Sequence, residues 1–214
     1  MTVTDAVAAR RSIRAYKADA VDKDVIIGII EKAARTPSWA NTQPWEVYIA
    51  AGDTLKRIRQ GYADNYKNAA KAAPDVSRPT DWPQAAKDRT MQLRPDMVRD
   101  CGDAADQFGE MNQSMFNAPA VIYLCLDKEY SQWSLYDLGA FAQSVVLLAQ
   151  EQGLSTIPAI TSVLYPEVLR REMNIPDNLN VAIGIPVGYA DESNKINNFH
   201  SARKPLSETV TYCT

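Results

Sequence analysis

Arg10, Arg11 and Arg14 stand within five residues of one another in the stretch ARRSIRAY, with Ser12 between them. Like charges repel, so the cluster costs free energy unless an anion or acidic side chains sit among the guanidinium groups. Helical spacing would put Arg10 and Arg14 on one face, with Arg11 and Ser12 beside the end of a first short helix. Three forked cations and a hydroxyl suit a phosphate monoester, each charge-assisted hydrogen bond contributing about 1.5–3 kcal/mol. The alternative is a solvated basic helix end whose arginines pair with Asp or Glu elsewhere.

Other chemistries lack their residues. His200 is the only histidine and falls in a polar tail, so a Ser or Cys nucleophile has no partner base for a triad. No His, Cys or carboxylate grouping resembles a metal site, and none is expected. Neither GxGxxG nor GxxxxGK(S/T) occurs, which leaves out the Rossmann and P-loop phosphate cradles. The segment GIPVG, Gly184 to Gly188, lies inside a strand pattern and reads as a bulge or a close packing point. An enzyme built from these side chains would rely on a bound cofactor for its chemistry.

The elements that position the cluster follow from periodicity. Thr2 and Asp5 form a capping box for a helix running to about Arg11, and Asp22 caps a second helix from Lys23 to Arg35. TPSWANTQPW breaks periodicity with two prolines, WEVYIAAG reads as a strand, and Asp53 to Lys71 as a helix. Residues 74–113 carry four prolines, Trp82 and arginines 78, 89, 94 and 99, and read as a lid-like excursion of short helices and loops. A buried strand follows at Ala120 to Leu126, then an apolar helix ending at Gly153, which is core and dimer interface. Strand-like LSTIPAIT, a helix over Glu167 to Met173 and the strand NLNVAIGIPVGY complete the pattern. The tail from Asp191 has no core pattern of its own.

The 214 residues suit one domain, and 46% hydrophobic with 23% charged residues suits a globular protein with a sizeable core. A net charge of −3 gives no reason to expect nucleic acid, and the longest apolar run, AVIYLCL, is too short to span a membrane. Three widely spaced cysteines and no signal-peptide pattern point to free thiols in the cytoplasm.

Two motifs at consistent spacing, RRSIRAY and TPSWANTQPWEVYIA, resemble the opening of the FMN-dependent nitroreductase family, close to its nitrobenzoate-reductase-like members. The similarity continues through FNAPAVIYLC, QGLSTIPA, NVAIGIPVGY and ARKPL, leaving residues 74–113 as the divergent part. The resemblance implies an α+β three-layer fold over residues 1–214. A central, mostly antiparallel sheet would be flanked by helices, with a C-terminal tail swapped onto the partner of a homodimer. It implies that Arg10, Arg11, Ser12, Arg14 and Arg203 hold the FMN phosphate and ribityl end. Pro37, Ser38, Trp39 and Asn41 would reach the flavin from the other subunit. Pro158, Ala159 and Ile160 would line the isoalloxazine edge with backbone N–H groups, and Asn112 matches a family asparagine more loosely. Trp45 and Gln43 read as structural, and His200 as a surface residue.

The implied activity is ping-pong reduction of nitroaromatics, nitrobenzoate among them, or quinones by NAD(P)H, with no catalytic side chain. Trp39 replaces a small residue common in the family, and Ser201 stands where many relatives have lysine. Two rival readings are a reductive dehalogenase, for which Asp64, Tyr66 and Lys67 have the residue types without the spacing, and a non-catalytic flavin-binding protein.

Overall fold

The computed structural model describes all 214 residues. Its centre is β2, Ala120–Asp127, whose side chains alternate between two apolar layers as the two-residue pleat requires. Ala120, Ile122, Leu124 and Leu126 face α2 (Lys23–Ala33) and α6 (Gln132–Glu151). Val121, Tyr123 and Cys125 face α3 (Gly52–Lys67) and α7 (Pro166–Met173). Burial on both faces explains why this strand is a continuous hydrophobic run. It also pushes the Cys125 thiol up to about 12.

The sheet has the order β1–β2–β4–β3, with β1 at Glu46–Ala51, β3 at Ser155–Thr156 and β4 at Leu179–Gly188; all three pairings are antiparallel. Between Leu124 and Cys125 the register on β4 jumps from Ile183 to Val181, so Ala182 is the extra residue of a bulge. The consequence is a reversal of parity: Leu179 and Val181 point to the α3/α7 layer, while Ile185 and Val187 point to the α2/α6 layer. Gly184 and Gly188 are close packing points, since a Cβ would lie 2.5 Å from the Ser162 side chain or 2.5 Å from the Pro119 ring. The fold is therefore α+β, an antiparallel sheet between two helical layers.

Several boundaries differ from the sequence expectation. α2 stops at Ala33 and not Arg35, and α3 runs Gly52–Lys67 and not to Lys71. Four further differences have a visible cause. α1 spans Val3–Ala9, capped by Thr2 and Asp5 as expected, but Arg10 is already extended (φ −61°, ψ 126°). Arg10 and Arg14 thus share no helical face. The chain is drawn off the helix because Ser12 bridges to Thr156 and the Ile13 N–H donates to the Thr156 carbonyl at 3.1 Å. Residues 74–113 include α4, an 18-residue helix at Gln84–Cys101, as well as the short α5 at Phe108–Gln113. α4 is held by Met97 and Cys101, which bury against Ala105 and Phe199. The stretch LSTIPAIT pairs only at Ser155–Thr156 and at an isolated Ala159 bridge, because Pro158 has no N–H to continue the ladder. Finally, Ile196, Asn197 and Phe199 are buried, so the core extends into the tail, and uniform exposure begins at His200.

Candidate anion site

Arg10, Arg11, Ser12, Arg14 and Arg203 do converge, though not along a helix. They line one cavity of about 590 Å³ together with Gln143 of α6, Phe199 and His200. Asn197 organises the chain segment that carries Arg14. Its side-chain oxygen accepts the Arg14 and Ala15 N–H groups at 2.8 and 3.2 Å, and its amide donates to the Ala15 and Asp191 carbonyls at 2.8 and 2.9 Å. All four bonds of a buried amide are therefore satisfied, which fixes the extended segment after α1.

The guanidinium groups are less well provided for. None of the four arginines forms an ion pair; the protein's ion pairs involve other residues. Arg11 donates to the Asn197 carbonyl at 2.9 Å and contacts the His200 ring at 3.0 Å. Arg203 donates only to Ser201 and Ala202. Arg14 donates to the Ser12 carbonyl at 2.8 Å and lies 5.0 Å from the Phe199 ring centre and 5.7 Å from that of Phe108. Its Nε is buried without any partner, and burial lowers its pKa from the ordinary arginine value. Four cations with no internal counter-ion, one of them partly desolvated, match an incoming oxyanion.

The other expected site residues are elsewhere in the chain. Pro37, Ser38, Trp39 and Asn41 lie on a tight loop with left-handed backbone at Ala40, Asn41 and Gln43 (φ 46°, 60° and 46°). The Ser38 hydroxyl accepts the Gln43 N–H at 2.9 Å, and the buried Asp137 of α6 accepts the Trp39 N–H at 2.9 Å. The Trp39 ring is 61% exposed and stacks on Trp133 with centroids 5.4 Å apart. This loop does not line the arginine cavity of its own chain. Trp45 packs into the core against Phe141 at 4.6 Å.

Pro158, Ala159 and Ile160 continue from the strand that pairs with Ser12 but likewise stay outside the cavity. The expected row of free N–H groups is absent at the first two. Proline has none, and the Ala159 N–H donates to the Gly184 carbonyl at 2.9 Å. Asn112 accepts the Thr161 hydroxyl at 2.6 Å. Asp64, Tyr66 and Lys67 end α3, where Tyr66 packs edge-on against Tyr165.

Asn197, Phe199, His200 and Asp137 were missed as site-building residues. His200 is exposed, as expected of a surface residue, and also lines the cavity.

Fold and cavity together define an α+β protein with an arginine-lined cavity at one sheet edge. The chain belongs to the nitroreductase family, whose model matches residues 7–189. It is 28% identical to a chloronitrobenzene nitroreductase of Comamonas testosteroni over 98% of this chain and 96% of that protein. It is 26% identical to a 4-nitrobenzoate reductase of Pseudomonas putida over 92% and 89% of the two chains. A crystal structure described as the FMN and NADPH-dependent nitroreductase NfnB, from a Sphigopyxis strain, superposes with a TM-score of 0.92 at 24% identity, covering all of both chains. No helix is long and apolar enough to cross a membrane.

Proposed function

We propose that the protein is an FMN-dependent NAD(P)H oxidoreductase that reduces nitroaromatic or quinone acceptors by a ping-pong mechanism. One observation carries the reading: four guanidinium groups without counter-ions surround a cavity that a phosphate monoester fits. The names of the relatives and of the similar structure support it. Bound FMN would supply the redox chemistry, accepting hydride from NAD(P)H and passing the electrons to the acceptor.

The chain's own residues bind and orient. Arg10, Arg11, Arg14 and Arg203 neutralise the phosphate, and the Ser12 hydroxyl offers one further donor. The Arg14 Nε, unpartnered in the structure, is the donor that gains most from an oxygen placed beside it. Trp39 and Asn41 act from the second subunit of a homodimer. The exposure of Leu206, Val210 and Tyr212 (73%, 55% and 87%) supports a tail that packs on a partner copy.

Residues 1–214 act as one flavin-binding unit, with 74–113 as its cover. A second cavity of about 700 Å³, lined by Trp82, Arg89 and Lys204, adjoins the first and shares Arg203 with it. Its three cations, Arg89, Arg203 and Lys204, outnumber its carboxylates, Asp96 and Glu208, and favour a carboxylated aromatic acceptor such as nitrobenzoate. The three cysteines are free thiols, which accords with a cytoplasmic location.

The test is a visible absorbance spectrum of the purified protein, before and after anaerobic NADH or NADPH. The reading expects a flavin spectrum that bleaches and returns when a nitroaromatic is added. Flavin that stays oxidised would leave a binding protein, and a colourless protein that FMN does not reconstitute would remove the flavin altogether. In a substrate panel, nitrobenzoate should show a lower KM than nitrobenzene, and Arg89→Ala should erase that difference.

A further inference from the structure

His200 is tied into the anion cavity from three sides. Its Nδ1 lies 2.7 Å from the Asn198 carbonyl, which only accepts, so Nδ1 carries the hydrogen. Nε2 of the neutral ring is then an acceptor, and it takes the Arg11 Nη1 donor at 3.0 Å. The His200 backbone N–H donates to the Asp100 carboxylate at 3.3 Å. Two residues just before it are fixed as well, Asn197 by its four hydrogen bonds and Phe199 by burial against Arg14. The ring is therefore aimed, and it occupies an Arg11 donor that faces the cavity.

We propose that His200 is a sixth ligand of the phosphate, after the four arginines and Ser12, and that its ring takes up a proton when the phosphate binds. The inference rests on the flavin reading above. Protonation converts Nε2 from an acceptor into a donor, opposite a second donor on Arg11. Two N–H groups facing one another are stable only with an acceptor between them, and a phosphate oxygen is such an acceptor. In the anion-free cavity the neutral ring instead satisfies Arg11.

The surrounding charges are consistent with this division. Arg10, Arg11, Arg14 and Arg203 line the same cavity as the ring, and Arg11 touches it. Across the ring, α4 offers Asp100, whose carboxyl is held below its ordinary range chiefly by Arg99. Cys101 beside it is a thiol pushed up by burial and adds no charge. Asp100 stands on the far side of the ring and already pairs with Arg99, so the phosphate supplies the negative group on the cavity side.

Imidazole is the side chain that changes charge between about pH 5 and 8, so flavin affinity gains a pH dependence that arginines alone cannot give. The sign follows from linkage. Binding that takes up a proton strengthens as pH falls, whereas the FMN phosphate itself loses charge near about pH 6 and weakens. The His200 contribution is isolated by comparison with His200→Gln, which keeps a polar side chain but cannot ionise.

The holoprotein is diluted at a series of pH values and released flavin is read by fluorescence, for wild type, His200→Gln and His200→Lys, with riboflavin as the phosphate-free control. The ratio of wild-type to His200→Gln affinity for FMN should grow about threefold to tenfold between about pH 8.5 and 6.5, a fraction of a full charge-assisted bond. Riboflavin should show no such growth, and His200→Lys should hold FMN tightly at the alkaline end as well. Parallel profiles for wild type and His200→Gln would overturn the proposal while leaving the flavin reading intact. A protein that retains no FMN at any pH would overturn the flavin reading and this inference with it.

Discussion

Arg170 and Arg14 are both partly buried guanidinium groups, and the fold treats them in opposite ways. Arg170, on α7, meets Asp75 at 2.8 Å, with side chains only 16% and 15% exposed, and also donates to the Leu179 carbonyl. The same carboxylate accepts the Val181 N–H at 2.8 Å, so one ion pair anchors the loop after α3 to the first residues of β4. Arg14 has no carboxylate, keeps its Nε unpartnered, and sits between two phenyl rings. An arginine that holds the fold together brings its anion from the same chain. One that does not is open to an anion from outside, and three more arginines without ion pairs share its cavity.

The contrast can be broken experimentally. Arg170→Ala leaves Asp75 buried and unpaired, and should destabilise the protein by about 3–5 kcal/mol. Calorimetry should register this as a fall in Tm of roughly 2–4 °C per kcal/mol, with FMN affinity unchanged. Arg14→Met should do the reverse. It keeps the apolar stem and removes an uncompensated cation, so the flavin-free protein should melt no lower than wild type. Its FMN affinity should fall about tenfold to hundredfold, measured by equilibrium titration. Arg203→Ala is the mildest: the side chain is exposed, and its loss should weaken FMN about twofold to fivefold with no shift in Tm. If Arg14→Met instead melted well below wild type while holding FMN normally, the distinction between the two arginines would collapse.

Much of this was legible in the sequence, for identifiable reasons. β2 and α6 were read almost to the residue, because a seven-residue apolar run and a long apolar helical repeat each leave one interpretation. The arginine cluster was visible because its charges are adjacent along the chain. Its geometry was not: α1 stops at Ala9 because a sheet edge far along the chain captures Ser12 and Ile13. α4 was hidden by Pro95 and by a surface rich in Arg, Gln and Asp, which gives a weak helical signature. Asn197 and His200 lie more than 180 residues from the arginines they hold or touch, and no local pattern announces such a partner. The bulge at Ala182 could not be placed either, since β4 is apolar on both sides of it.

The central claim is that the unpaired arginines exist for a phosphate, and the most direct test compares FMN with riboflavin on the same protein. The two ligands share the ring system and differ only at the group the cavity is proposed to hold. FMN should bind at least about a hundredfold more tightly, the worth of several charge-assisted hydrogen bonds after discounting for exposure. The difference should shrink in Arg14→Met. Equal affinities for FMN and riboflavin would contradict the account, because they would leave the four guanidinium groups without the anion that explains them.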